Sequence, residues 1–225
     1  MIVMHDAGLV FVRTRKTAGT SVEIALSRHA GDHDVIASLS PRDEALRARE
    51  GGRAPQHHLL AGLTPGQTPV PPGPGDGVRF YNHMPAAEIR QELGAVTWGR
   101  YLTVCLERSP YEKVTSLYFH RHRTRPRIPI EEFIDSGEFR DAINWPLYTD
   151  ASGTVMVDVV VRHERLQAGL DEVCHRVALP TLDLPRAKGH FRPPGAAYPN
   201  VLTARARQAV EEAYAAEFEH HGYTW

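Results

Sequence analysis

Lysine is scarce in this chain: among 26 lysines and arginines, only Lys16, Lys113 and Lys188 are lysines. Lys16 stands in the run Arg15-Lys16-Thr17-Ala18-Gly19-Thr20-Ser21, just after the apolar residues Leu9-Val10-Phe11-Val12. An ammonium, three hydroxyls and a glycine where a strand passes into a helix can surround an oxyanion. Amides at the helix start donate hydrogen bonds and carry partial positive charge, the hydroxyls add donors, and the lysine adds a full charge. Gly19 permits the close backbone approach such a cradle needs. The plain alternative is a surface lysine beside an ordinary capping Thr or Ser. The nucleotide-hydrolase phosphate loop is excluded, since that motif needs glycine ahead of the lysine and none lies between Leu9 and Lys16.

A second cationic segment repeats the arrangement. In Tyr101-Leu102-Thr103-Val104-Cys105-Leu106-Glu107-Arg108-Ser109-Pro110, a strand runs into Arg108, and Pro110 can occupy a first helical turn. A guanidinium offers a planar fork to two phosphate oxygens, and Ser116 on the following helix can add a hydroxyl. Pairing of Arg108 with Glu107 or Glu112 at the surface is the alternative. Two anion sites at the ends of neighbouring strands suit a ligand with two separated anionic groups, and open α/β sheets bind ligands there.

The elements that must position these groups alternate. Residues 9–12, 101–106 and 155–161 are expected strands. Helices are expected after Gly19, over 40–53, 85–93, 111–118, 131–139 and 166–177, and from Thr203 to His221. Met1 to Val12 lacks a basic start and a cleavage site, so it leads into the first strand rather than forming a signal peptide. The pattern predicts an α/β class: a three-layer, P-loop-like fold with a mainly parallel central sheet flanked by helices. The 225 residues suit a single domain over 1–225, with an irregular Pro/Gly-rich loop at about 62–79.

Composition removes several functions. A formal net charge of -1 gives no global attraction to nucleic acid or anionic membranes. The basic tract His120 to Arg127 lacks aromatic interleaving, so no nucleic-acid partner is expected. No apolar stretch is long enough to span a membrane. Cys105 and Cys174 sit in apolar surroundings and are expected as buried thiols in a cytoplasmic protein. The 13 histidines show no metal-ligand spacing, and no metal is expected.

Taken together, these segments resemble the sulfotransferase family, in its carbohydrate-sulfotransferase-like branch with many bacterial members. The 5'-phosphosulfate loop of that family reads Pro-Lys-Thr-Gly/Ala-Gly-Thr-Ser, and here Arg15 replaces the proline. Its 3'-phosphate segment is matched by Arg108-Ser109-Pro110-Tyr111-Glu112-Lys113 and Ser116-Leu117-Tyr118, with Lys113 in place of an arginine. Asn82-His83-Met84-Pro85 through Arg90 is similar to a His-Met stretch of the bacterial members. Pro185-Arg186-Ala187-Lys188-Gly189-His190-Phe191-Arg192 resembles a basic loop that closes over the nucleotide.

The resemblance implies transfer of a sulfonate from 3'-phosphoadenosine 5'-phosphosulfate to a hydroxyl acceptor, a small molecule or glycan, releasing 3'-phosphoadenosine 5'-phosphate. Residues Arg15 to Ser21 would hold the 5'-phosphosulfate, with Lys16 catalytic. Arg108 and Ser116 would clamp the 3'-phosphate, joined by Arg186, Lys188 and Arg192. His83 is the general base it implies; Tyr81, His57, His58 and Glu107 are reserves. A homodimer is left open as the assembly state. Two other readings stand beside this one: a small-molecule or nucleotide kinase of related fold, with Asp158 as its acid, and a non-catalytic protein that binds a phosphorylated nucleotide.

Overall fold

A computed structural model describes residues 1–63, 77–124, 126–185, 187 and 192–225. In chain order the elements are β1 (Ile2–Met4), β2 (Leu9–Val12), α1 (Gly19–Ser27), β3 (Val35–Ile36), α2 (Pro41–Arg49), α3 (Ala86–Leu93), α4 (Ala95–Arg100), β4 (Leu102–Glu107), α5 (Pro110–Arg121), α6 (Ile130–Asp135), α7 (Trp145–Tyr148), β5 (Val159–Arg162), α8 (Leu166–Arg176), α9 (Tyr198–Val201), α10 (Ala204–Ala213) and α11 (Ala215–His221). They pack as two units, each built from separate chain segments. The first contains Met1–Thr14, Ala18–Glu107 and Pro146–Ala187; the second contains Arg15–Thr17, Arg108–Trp145 and Lys188–Trp225.

The first unit holds a five-stranded sheet of order β3-β1-β2-β4-β5. The strands β2, β4 and β5 are parallel neighbours, with Phe11 opposite Val104 and Val104 opposite Val159. All four residues of β2 are buried, as expected of a strand covered on both faces. The first twelve residues depart from the expected single strand. They form a hairpin in which β1 runs antiparallel to β2 and β3, turned through Gly8 at φ 61°. The predicted strand at 155–161 shortens to β5 because Val155 bridges to Thr149 and Asp158 turns back to bond Thr103. Mixed α/β architecture with a parallel sheet centre is therefore the observed class.

The core of this unit joins β2 and β4 to α1 and α8 through Phe11, Val22, Leu26, Leu106, Leu170 and Val173. A glycine lets α8 approach: a Cβ at Gly169 would lie 2.6 Å from Val161 Cγ1. Cys105 and Cys174 are both buried. Of the Pro/Gly-rich loop, residues 64–76 lie outside the described residues; Val78 just beyond pairs with Leu59.

The second unit is helical. Tyr111, Val114, Phe133, Phe139, Val210 and Tyr214 form its core, where α10 packs on α5 and α6. The helix expected over 131–139 breaks at Gly137, φ 78°, and continues as a 3₁₀ turn over Glu138–Ala142. The closing helix also divides, at Tyr214, whose hydroxyl donates to the Phe139 carbonyl at 2.5 Å. No described helix is long and apolar enough to cross a membrane.

Candidate active site

The loop after β2 has two non-glycine residues in the left-handed region: Lys16 at φ 62° and Ala18 at φ 71°. Such conformations cost on the order of 1 kcal/mol each and persist only where neighbours enforce them. Ala18 caps α1, and its carbonyl accepts from the amides of Ser21 and Val22 at 3.0 and 3.3 Å. The amides before them, at the helix start, have no intrahelical acceptor and can donate to an anion. No acidic residue stands in the first turn of α1 to oppose an anion. Thr17, Gly19, Thr20 and Ser21 are buried, while Lys16 and Arg15 are half-buried.

Arg13, three residues before Lys16 and only 4% exposed, organises the first-unit side of this loop. Its guanidinium donates to Glu23 Oε2 at 2.5 Å and to the Thr20 hydroxyl at 2.6 Å. A Cβ on Gly19 would lie 3.1 Å from Arg13 Cγ, so the glycine serves this packing as well as any ligand approach. Glu23 is fully buried and also meets the Met1 amino group. Burial pushes its carboxyl up, but the positive charges of Arg13, the amino group and Arg47 prevail and hold it down to about 2.

In the second unit, the backbone of Arg15 is held by Asn144. The Asn144 Oδ1 accepts from the Arg15 amide at 2.7 Å, and its Nδ2 donates to the Arg15 carbonyl at 3.0 Å. The amides of Asn144 and Trp145 donate to Glu217 Oε1 at 2.6 and 3.1 Å. The other oxygen of Glu217 takes Lys113 Nζ at 2.5 Å, with both side chains almost wholly buried. Lys113, which stands where the resembled family has an arginine, forms a buried ion pair here. A single-point donor leaves Oε1 to the two backbone amides, which a bidentate guanidinium would have engaged.

Arg108 opens the approach to α5, and Ser116 lies half-buried within that helix. Arg108 Nη2 donates to Glu112 Oε2 at 2.7 Å, the pairing weighed above as the alternative to ligand binding. The same carboxylate receives Arg192 Nη1 at 2.5 Å and Nη2 at 3.3 Å. Two guanidinium groups predicted for phosphate binding, distant in sequence, thus converge on one carboxylate. Arg186 and Lys188 lie outside the described residues.

His83 belongs to the first unit, at φ 60°, with Nδ1 3.1 Å from the Arg13 carbonyl. Only an N–H can donate to a carbonyl, so this contact puts the proton on Nδ1 and makes Nε2 the basic nitrogen. The reserves are less suitable. Burial pushes the Tyr81 phenol well up, reinforced by its 2.5 Å bond to Glu88. His58 is buried against Ser38, and His57 contacts the Asp32 carbonyl. Glu107 is fully buried and accepts from the Tyr148 hydroxyl at 3.1 Å.

Asp158, the acid a kinase would need, is engaged by the Thr103 amide and hydroxyl, each at 2.8 Å. The basic tract is tied down locally: Arg121 pairs with Glu138 and Asp141, and Arg127 donates to the His122 carbonyl. Among the described residues no group of three or more His, Cys, Asp or Glu could hold a metal ion. Sequence reasoning missed Asn144, Glu217, Arg13 and Glu23; only the apolar neighbours of Glu23 in α1 hinted that its charge would be internal.

No family model matches the chain, and no solved structure matches it. It is 36% identical over 101 residues to a protein of Archaeoglobus fulgidus described as "Uncharacterized protein", an alignment spanning 43% of this chain and 84% of that protein. The chain belongs to the same family as this archaeal protein.

Proposed function

We propose that this chain is a sulfotransferase that moves the sulfonate of 3'-phosphoadenosine 5'-phosphosulfate onto an acceptor hydroxyl. The observation that carries the reading is the convergence of Arg108 and Arg192 on Glu112. A pair of guanidiniums sharing one carboxylate is a ready receptor for a dianion such as a 3'-phosphate. The strained loop from Arg15 to Ala18, running into the amides of α1, supports a second anion site for the 5'-phosphosulfate.

In this reading Thr17, Gly19, Thr20 and Ser21 hold the 5'-phosphate, and Lys16 meets charge developing on the bridging oxygen. The acceptor hydroxyl attacks sulfur in line with that oxygen. A new oxygen–sulfur bond forms, the bond from sulfur to the bridging oxygen breaks, and the electron pair leaves on that oxygen as 3'-phosphoadenosine 5'-phosphate. His83 Nε2 takes the acceptor's proton; the Arg13 carbonyl keeps Nδ1 protonated and the ring in the tautomer a base requires. Arg108, Ser116 and Arg192 distinguish the donor from nucleotides that lack a 3'-phosphate. A glycan is the acceptor class the family resemblance suggests, and a cytoplasmic location is part of the proposal.

The test is incubation with radiolabelled donor against glycans, phenols and alcohols. We expect transfer that falls about 100- to 1,000-fold in Lys16→Ala and about 100-fold or more in His83→Ala. Absence of transfer, together with equal affinity for adenosine 5'-phosphate and adenosine 3',5'-bisphosphate, would overturn the assignment.

A further inference from the structure

We propose that Asn144 is the positioning residue of the Lys16 loop and that the buried Lys113–Glu217 pair exists to hold Asn144 there. The functional part of this inference rests on the anion-site reading of Lys16; the structural part does not. Asn144 is fully buried and touches no reacting atom in the proposed mechanism. Both ends of its amide bond the backbone of one residue, Arg15. The assignment of oxygen and nitrogen is not arbitrary: a flipped amide would set N–H against N–H and carbonyl against carbonyl. This side chain therefore copies the two-bond pairing of a β-ladder onto the residue immediately before Lys16.

That location matters because Lys16 has φ 62°. A β-ladder-like clamp on the preceding peptide fixes the direction from which the chain enters the left-handed residue. Without it, the ordinary right-handed or extended basins become available, and the ammonium departs from its place. Asn144 is itself fixed from behind. Glu217 Oε1 holds the amides of Asn144 and Trp145, Lys113 neutralises Oε2, and the Lys113 ammonium lies 5.2 Å from the Tyr214 ring centre. Packing on Tyr214 sets the height of the pair, so α11 and α5 together determine where the loop begins. A buried ion pair is a weak source of net stability, which fits a role in geometry.

The test uses the whole protein and backbone amide hydrogen exchange. In the wild type, the Arg15 amide should exchange as slowly as amides of β2 and β4; free exchange there would overturn the proposal without any variant. In Asn144→Ala, exchange at residues 15–18 should rise at least tenfold with β2 and β4 unchanged. Affinity for adenosine 3',5'-bisphosphate should fall about tenfold. Asn144→Asp supplies the specific readout. Its carboxyl, surrounded by Glu217, Lys113 and Arg15, can accept from the Arg15 amide but donates to the Arg15 carbonyl only when protonated. Loop protection should thus be lost at high pH and regained as pH falls, measured against the wild type at each pH. A rise in exchange shared by loop and sheet, or no recovery at any pH where the sheet stays protected, would refute the assignment. If the exchange results hold but the wild type binds no bisphosphate, the sulfotransferase reading fails and the positioning role stands.

Discussion

Removing the charge of Glu23 tests whether an internal ion cluster underlies the first unit. Its carboxyl lies at about 2 against an ordinary value of 4.5. A group depressed on folding contributes stability that is present above its unfolded value and lost as pH falls through the folded one. The difference of 2.5 units, 4.5 minus 2, corresponds to about 3 kcal/mol. Integrating the two titrations, little of this is gone at about pH 4.5 and about 2 kcal/mol at about pH 3. Glu23→Gln keeps the shape without the charge and leaves Arg13 buried without its counter-ion. It should cost about 3–5 kcal/mol at about pH 7. The assay is urea unfolding of both proteins from about pH 7 down to about pH 3. Other carboxylates titrate in both, so the gap between the two stabilities isolates Glu23, and that gap should close by about 2 kcal/mol. A gap that stays constant over this range would refute the reasoning, because Glu23 would then titrate alike in folded and unfolded chains.

Arg108→Ala and Arg192→Ala should each weaken adenosine 3',5'-bisphosphate binding by about 10- to 100-fold in calorimetry, while adenosine 5'-phosphate is little affected. Glu112→Gln, which removes the internal anion from between the two guanidiniums, should strengthen bisphosphate binding several-fold; weaker binding would mean that Glu112 orients the arginines rather than competing for them. Gly169→Ala forces a Cβ to within 2.6 Å of Val161 Cγ1 and should lower stability by about 1–3 kcal/mol, read from chemical unfolding. Lys113→Ala strands Glu217 in the interior and should cost about 3–5 kcal/mol, whereas Lys113→Met combined with Glu217→Gln should cost much less, since the new amide can still accept from Asn144 and Trp145.

What could be read from the chain was whatever announces itself locally. The run at β2 is wholly apolar and those at β4 and β5 mostly so, and their strands and the parallel sheet centre were legible from this. The β1 strand was not, because its three residues join β2 through a turn whose only mark is Gly8. The glycine at 137 could have signalled the break after α6, but nothing at Tyr214 marks the division between α10 and α11. That break depends on a hydroxyl reaching a carbonyl 75 residues away. The loop at Lys16 and the cations Arg108 and Arg192 were found through their types and the family resemblance. Their supports were hidden for one reason: Arg13, Glu23, Lys113 and Glu217 are charged residues that the fold internalises, and their partners are fixed by tertiary pairing. Glu217 lies 104 positions from Lys113, a separation no spacing rule reaches.

The order in which the ribosome delivers these parts has its own implication. Arg15 to Thr17 emerge early, yet they belong with segments beginning at Arg108 and beyond Lys188. Asn144 can grip Arg15 only after Glu217 has appeared to anchor it. During synthesis the sheet can form while this loop is still unset, and α11 locks it later. A nascent chain stalled before α11 would therefore carry every predicted anion-binding residue and still lack the means to arrange them.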